Sequence, residues 1–371
     1  MKLMKKKYKI MYLIPHLEHT GPVSQLYGLI KYLNRDTFEP IIVTFYDERV
    51  NSLIDEFVKL HIKVYQIHSN HFKIFFQKYK VRKIIREINP DIIHSNSVFT
   101  DIIASKMKQE SIPLILTLHN FIYEDLIHKY GHLIGRVLCF LEKKAICKAD
   151  IVITCSKTLK NKYRKIIHRK YNAIQNGLEI SKWKMKNRDK FQIRNKLGIP
   201  VDKFVFLSTG VLVRIKDPIT IIAAFKNLKN EKAYLIMLGD GSVEKDCKKF
   251  ANNNPNIKFT GCVNNVKDYL YAADVLVSAS LSEGLPYAIL EAEATGIKMI
   301  LSDIPSHREV IQNNIEDVFL FETQNIKQLT EAMCCCYIEQ NKSKITYHME
   351  QFTAQYMSSQ FQKIYLNEII K

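Results

Sequence analysis

The chain has 371 residues, enough for two ordinary domains that each bury a core. Its 47% hydrophobic and 25% charged residues give the balance of a folded protein and exclude an intrinsically disordered one. A formal net charge of +18 asks for an anionic partner: nucleic acid, an anionic membrane surface or an anionic small substrate.

Strand-like runs alternate with helical patterns throughout, which predicts an α/β fold with parallel sheets and crossover helices. The basic start, Met1 to Lys9, leads into a short apolar run that soon meets Pro15, His16 and Glu18. That run is too short and too polar for a signal peptide, and it predicts a first strand. No apolar stretch approaches the roughly 20 residues of a membrane span. Strands are predicted in the first half at Lys9–Ile14, Pro40–Phe45, Lys63–Gln66, Ile92–His94, Leu114–His119, Ile151–Cys155 and Asn172–Gln175. Helices are predicted at Pro22–Leu33, Ser52–Leu60, Lys73–Ile88 and Leu133–Cys147.

Between the first strand and the first helix, Gly21 either lets a phosphate or sugar approach the chain or simply starts the helix. His94 and His119 each end an apolar strand. A lone histidine is most often a satisfied structural group, but two on one sheet rim favour a site. Neither has metal-ligand spacing with another His or Cys, so no zinc is expected. Two basic stretches carry apolar residues at helical spacing, His71 to Arg86 and Lys157 to Lys170. The first has more aromatics than one buried face requires. Interfacial membrane contact and a solvated basic face over an ordinary core stripe both account for it. No recognised nucleic-acid module is present, so no nucleic-acid partner is expected.

After the polar, basic stretch Ser181–Lys190 the pattern begins again, with strands at Phe204–Thr209, Ala233–Leu238, Ile257–Thr260, Asp274–Ser278, Met299–Ser302 and Val318–Phe321. The first runs into Gly210, and Asp217 with Pro218 reads as an N-cap and first helical residue. Lys216 then precedes a helix N-terminus, a position that suits a diphosphate and equally an ordinary solvated lysine. Gly239 and Gly241 after the next strand allow close approach of a ligand, or form a plain turn. The consecutive Cys334, Cys335 and Cys336 point in different directions on a helix and read as reduced, partly buried thiols in a cytosolic protein.

The most informative segment runs from Ser280 to Ala292. Glu283 and Glu291 stand eight positions apart around Gly284-Leu285-Pro286. The apolar run before it predicts a buried strand, Pro286 the first turn of a helix, and Gly296 its C-terminal cap. Glu283 should therefore occupy an exposed loop at the carboxyl end of a strand, with Glu291 about one and a half turns into the helix. Ligands bind there in open α/β sheets, and two carboxylates suit a polyhydroxylated one.

These residues resemble a family. Phe259-Thr260-Gly261, Val266-Lys267-Asp268-Tyr269-Leu270, the paired glutamates, Ser302-Asp303-Ile304-Pro305 and Glu309-Val310-Ile311 are similar to glycosyltransferase family 4, retaining nucleotide-sugar transferases of the GT-B fold. The resemblance covers nearly the whole chain and extends to Thr117-Leu118-His119-Asn120, Ser156 and Asn176-Gly177. It implies two Rossmann-like domains with parallel sheets facing across a cleft. An acceptor-binding domain would span 1–184, a nucleotide-sugar-binding domain 185–350, and a helix in 351–371 would cross back to the first. It implies that Glu283 holds donor-sugar hydroxyls, Glu291 ribose hydroxyls and Lys216 the diphosphate. Gly210, Gly239, Gly284 and Leu285 would complete the donor site. Gly21 would line the phosphate and acceptor side, His119 would lie near the reacting centre, and Asn265 and Val266 would pack around the base. The family has an arginine directly after the glycine at Gly210, where this chain has Val211. Either Arg214 supplies that charge, or phosphate contact rests on Lys216 alone.

The implied activity is that of a hexosyltransferase acting in capsule, O-antigen or similar polysaccharide biosynthesis. Its partners would be a UDP- or GDP-linked sugar and a lipid-linked or oligosaccharide acceptor, with no metal and no cofactor. The charge fits a cytoplasmic enzyme peripheral to the inner face of the membrane. The rivals are a nucleotide-sugar epimerase of the same fold, a non-catalytic sugar-nucleotide-binding subunit and a basic nucleic-acid-binding protein.

Overall fold

The computed structural model describes residues 7–49, 52–69, 77–184, 189–312, 318–339 and 347–370. Most of the basic start (residues 1–6), residues 71–76 of the first basic stretch and residues 185–188 of the polar stretch lie outside the described residues. The chain divides into two units, Met1–Leu178 with Glu350–Lys371, and Glu179–Met349.

The first unit is built on seven strands: β1 (Tyr8–Ile14), β2 (Phe38–Tyr46), β3 (Lys63–Ser69), β4 (Ile92–Ser95), β5 (Leu114–Leu118), β6 (Ile151–Thr154) and β7 (Asn172–Ala173). They form one sheet in the order β3-β2-β1-β4-β5-β6-β7, and every pair is parallel. β1 is buried on both faces from Ile10 to Ile14, which is why its sequence is a continuous apolar run and not an alternating one. The final helix, Ala354–Ile370, belongs to this unit and packs Met357, Phe361 and Tyr365 into the same core as Ile10, Tyr12 and Leu29. The unit ends at Leu178 because that residue pairs with the returning chain: its N–H donates to the Phe352 carbonyl at 2.7 Å, and its carbonyl accepts from Ala354 N–H at 3.0 Å. Gly177 fits there because a Cβ would lie 2.5 Å from the Thr353 carbonyl oxygen and 2.8 Å from Ala354.

The predicted helix Leu133–Cys147 is part of a longer one, Ile122–Lys148, broken at Gly131, where φ is +77°. Of the predicted Lys73–Ile88 helix, Lys78–Ile88 is described and helical.

The second unit has six strands: β8 (Phe204–Thr209), β9 (Ala233–Leu238), β10 (Ile257–Gly261), β11 (Val275–Ser278), β12 (Lys298–Ser302) and β13 (Val318–Phe321). They pair in parallel in the order β10-β9-β8-β11-β12-β13. In both sheets chain order reverses beside the first strand, at β1/β4 and β8/β11. Helices diverge to opposite faces there, leaving the crevice at the strands' carboxyl ends in which such sheets bind ligands. No helix among the described residues is long and apolar enough to cross a membrane.

Candidate active site

The crevice at β8/β11 is assembled from two loops. β8 runs into Gly210, whose φ of +133° faces open space, and then into a 3-10 turn, Arg214–Lys216. Asp217 follows at φ +47° and Pro218 opens the helix Pro218–Asn227. The Asp217 carboxylate does not cap that helix through its main chain as expected. It accepts a bond from Thr220 Oγ1 at 2.6 Å. β11 leads into the loop carrying Ser280 and Glu283, then into the helix Tyr287–Thr295, bounded by Pro286 and by Gly296 at φ +74°. The loops are tied by Leu281 N–H donating to the Ile215 carbonyl at 2.8 Å.

That tie brings Lys216 against Glu283, with Nζ bonded directly to Oε1. Glu283 is not on an exposed loop: its side chain is only 10% accessible. The loop folds inward because Gly284, Leu285 and Pro286 are buried behind it. Burial pushes the Glu283 carboxyl up, but Lys216, His307 and the hydrogen bonds from Lys216 and Ser280 outweigh it, so the net displacement is downward. Ser280 Oγ donates to Glu283 Oε1 at 2.7 Å. Behind Ser280, Ser302 Oγ donates to the Ser280 carbonyl at 2.6 Å, and His307 Nδ1–H donates to the Ser302 carbonyl at 2.8 Å. Burial lowers His307 to about pH 4, so the ring is neutral and the buried Nε2 has no partner among the described residues. His307 therefore belongs to the support of Glu283. Only its position just after the β12 strand end, in Pro305-Ser306-His307, signals this in the sequence.

Glu291 differs from Glu283. It makes no hydrogen bond or ion pair among the described residues, and burial raises it to about 8. A carboxyl raised by burial with no charge partner, on the helix that follows the Glu283 loop, is a candidate ligand-binding group. Arg214 and Val211 are both exposed on the 3-10 turn side of the crevice.

Gly239 has another role. A Cβ there would collide with the Gly210 carbonyl, and its own N–H is spent on the Gly261 carbonyl at 2.9 Å. Glycine is required there by the close passage of the neighbouring loop. Gly241 packs against Leu212 in the same way. Asn265 and Val266 open the helix Val266–Ala272 after edge strand β10, with β9 and β8 lying between β10 and β11.

In the first unit, Gly21 is the first residue of the helix Gly21–Lys31, after β1. His94 is structural. It is held between Tyr365 Oη and Thr117 Oγ1, both at 2.7 Å, and burial lowers it to about 3. His119 just past β5 is also neutral, lowered by burial to about 4, with its buried Nε2 unpartnered among the described residues. In the second basic stretch, Lys162 pairs with Glu124 at 3.0 Å and Arg169 donates to the Ala149 carbonyl at 3.0 Å, so part of that charge is spent inside the fold. Among the described residues no group of three or more His, Cys, Asp or Glu side chains is arranged to hold a metal.

The family model described as "Glycosyl transferases group 1" matches residues 189–344, and that described as "Glycosyltransferase Family 4" matches residues 20–182. The chain is 31% identical over 224 residues to a putative teichuronic acid biosynthesis glycosyltransferase, TuaC of Bacillus subtilis, across 59% of this chain and 54% of that protein. It thus spans about half the length of that relative. It is 28% identical over 263 residues to the Escherichia coli UDP-Gal:alpha-D-GlcNAc-diphosphoundecaprenol alpha-1,3-galactosyltransferase, across 68% of this chain and 67% of that one. Among solved structures, HepE of Anabaena in complex with UDP and glucose superposes with a TM-score of 0.80 at 19% identity, over 97% of this chain and 100% of that one. That likeness is one of fold, the paired Rossmann-like units of GT-B.

Proposed function

The chain belongs to the glycosyltransferases, group 1 in its second unit and family 4 in its first, and from that premise we propose a specific reaction. The enzyme transfers a sugar from a nucleoside diphosphate to a hydroxyl of a lipid-linked saccharide, with retained anomeric configuration, in surface-polysaccharide synthesis. The relative named for a UDP-galactose donor and a diphosphoundecaprenol acceptor supports this choice of substrates. Lys216 bonded to Glu283 at the β8/β11 switch point is the observation that carries it.

As the glycosidic bond breaks, positive charge develops on the sugar ring and negative charge on the departing diphosphate. Lys216, one-third exposed at the crevice and fixed by its bond to Glu283, would meet that negative charge. The open backbone at Gly210 gives the phosphates room. Glu283, held by Ser280 and the Ser302–His307 bonds behind it, stays ionised and orients the sugar hydroxyls. The leaving phosphate takes the proton of the attacking hydroxyl, so no protein nucleophile is needed for retention. Glu291 takes the ribose hydroxyls. The diphosphate charge is met by side chains, and the reaction is metal-independent in this reading.

The test is a donor screen that measures nucleotide release from UDP- and GDP-sugars, with and without a lipid-linked acceptor and in the presence of a chelator. Acceptor-dependent release from one donor, persisting in chelator, is expected. Glu283→Ala should lower turnover by about 10- to 1,000-fold with little change in donor affinity. Sugar isomerisation without acceptor would identify an epimerase, and tight donor binding without any release a non-catalytic subunit. Either would overturn the reading.

A further inference from the structure

The helix Ile122–Lys148 changes character at Gly131. The chain turns so sharply there that a Cβ on Gly135 would lie 2.8 Å from Ile127 Cα. Beyond the turn one face of the helix is buried, with Gly135, Leu138, Cys139, Glu142, Ala145 and Ile146 recurring every three or four residues. The opposite face should be polar. It carries Leu133, Ile134, Val137 and Phe140, which are 82%, 58%, 54% and 56% exposed. Positions i, i+4 and i+7 put Leu133, Val137 and Phe140 on one line at the solvent pole of the helix. Scattered exposed apolar residues are ordinary, but a continuous stripe along one helix is not.

The charges beside the stripe have a single sign. Lys129, Arg136, Lys143, Lys144 and Lys148 are exposed, and the only carboxyl from residue 126 to residue 148, Glu142, is buried on the far face. The Lys144 ammonium sits over the Phe140 ring at 4.4 Å from its centre. Apolar side chains at the pole, with Lys144 and Lys148 continuing their line and Arg136 and Lys143 beside it, are an arrangement that can lie in the plane of an anionic bilayer surface. A second copy of the chain is a poor occupant, because paired stripes would bring cationic flanks against cationic flanks.

We propose that the 133–148 segment is the surface by which this protein docks on an anionic membrane, with Leu133, Ile134, Val137 and Phe140 entering the headgroup–acyl boundary and the flanking lysines and Arg136 engaging lipid phosphates. This rests on the lipid-linked acceptor proposed above and names the part of the chain that meets the lipid.

The experiment is flotation of the full-length protein with vesicles of phosphatidylglycerol and phosphatidylcholine, compared with phosphatidylcholine alone. Wild type should float with the anionic vesicles at least tenfold more tightly than with the neutral ones. The L133S/V137S/F140S variant should lose at least tenfold in that binding while keeping the wild-type melting curve, because all three side chains are at the surface. K143E/K144E, which leaves the stripe intact, should also bind anionic vesicles more weakly. Three outcomes overturn the proposal: no vesicle binding by wild type, unchanged binding by L133S/V137S/F140S, or a wild-type dimer in sedimentation that this variant splits. No donor or acceptor is present in the assay. A protein with a different chemistry would still float, and a transferase acting on a soluble acceptor would pass the donor screen and fail here.

Discussion

Burial holds the Glu291 carboxyl protonated up to about pH 8, although the role proposed for it is to accept ribose hydroxyl hydrogens. A protonated carboxyl has lost part of its acceptor capacity and must release its proton to take both hydroxyls. Hydrogen bonds to the charged form lower the pKa in the complex, so binding expels a proton below pH 8 and none above. Nucleotide affinity should rise by up to about tenfold per pH unit from pH 6.5 toward 8 and then level off. Calorimetric titration with UDP at several pH values measures this, with buffers of different ionisation enthalpy counting the proton released. Glu291→Gln should bind more weakly and show no such rise. If it keeps the wild-type pH profile, Glu291 does not meet the nucleotide. The paired glutamates were legible in the sequence, because residue types and an eight-position spacing survive translation into a loop and a helix. Their different protonation was not. It depends on which carboxyl the fold pairs with Lys216, and on the burial of Gly284, Leu285 and Pro286, neither of which is local in sequence.

Elements behave likewise. The strands were readable because both faces of each central strand are covered, so the sequence runs apolar without alternation. The helix Ile122–Lys148 was only half readable. Apolar residues all round it resemble an ordinary buried helix, and only the fold decides which face stays in solvent. Its buried face carries a further feature with no sequence signature. Glu142 lies against Asp101 of the helix Val98–Met107, and the two buried carboxyls bond to each other, which requires that one of them keep its proton. Burial pushes Asp101 up to about 7; burial, reinforced by Asp101, pushes Glu142 well above the usual carboxylate range. In the unfolded chain both carboxyls titrate near pH 4. Between those limits the folded state holds protons that the unfolded state has lost, so stability is fullest at the acid end and falls as pH rises toward 7 and beyond. The slope is up to about 1.4 kcal/mol per unit for each group. Glu142→Gln keeps the shape and offers Asp101 an amide donor. Urea midpoints followed from pH 5 to pH 8 should therefore fall less steeply in the variant than in wild type. Parallel curves would mean that the two carboxyls do not share the strain of burial.

The two units differ in how the chain builds them. The second, Glu179–Met349, is one continuous segment with its own six-stranded sheet and core, and it holds Lys216, Glu283, Glu291 and His307. The first is completed only by the last 22 residues of sequence, Glu350–Lys371. Phe361 and Tyr365 are fully buried in it, Tyr365 Oη is bonded to His94, and Ser358 Oγ donates to the Leu29 carbonyl at 2.8 Å. Losing one large buried aromatic costs about 3–5 kcal/mol, and losing two approaches the roughly 5–15 kcal/mol of a whole domain. A chain ending at Met349 should therefore lose the first unit and keep the second. Limited proteolysis followed by mass analysis should show the first unit digested and a resistant fragment covering most of 179–349, still able to bind UDP. A truncated chain that melts at the wild-type temperature would show that the final helix adds little to the first unit. Digestion of both units together would show that the second, despite its continuity, cannot hold its sheet and its site without the first.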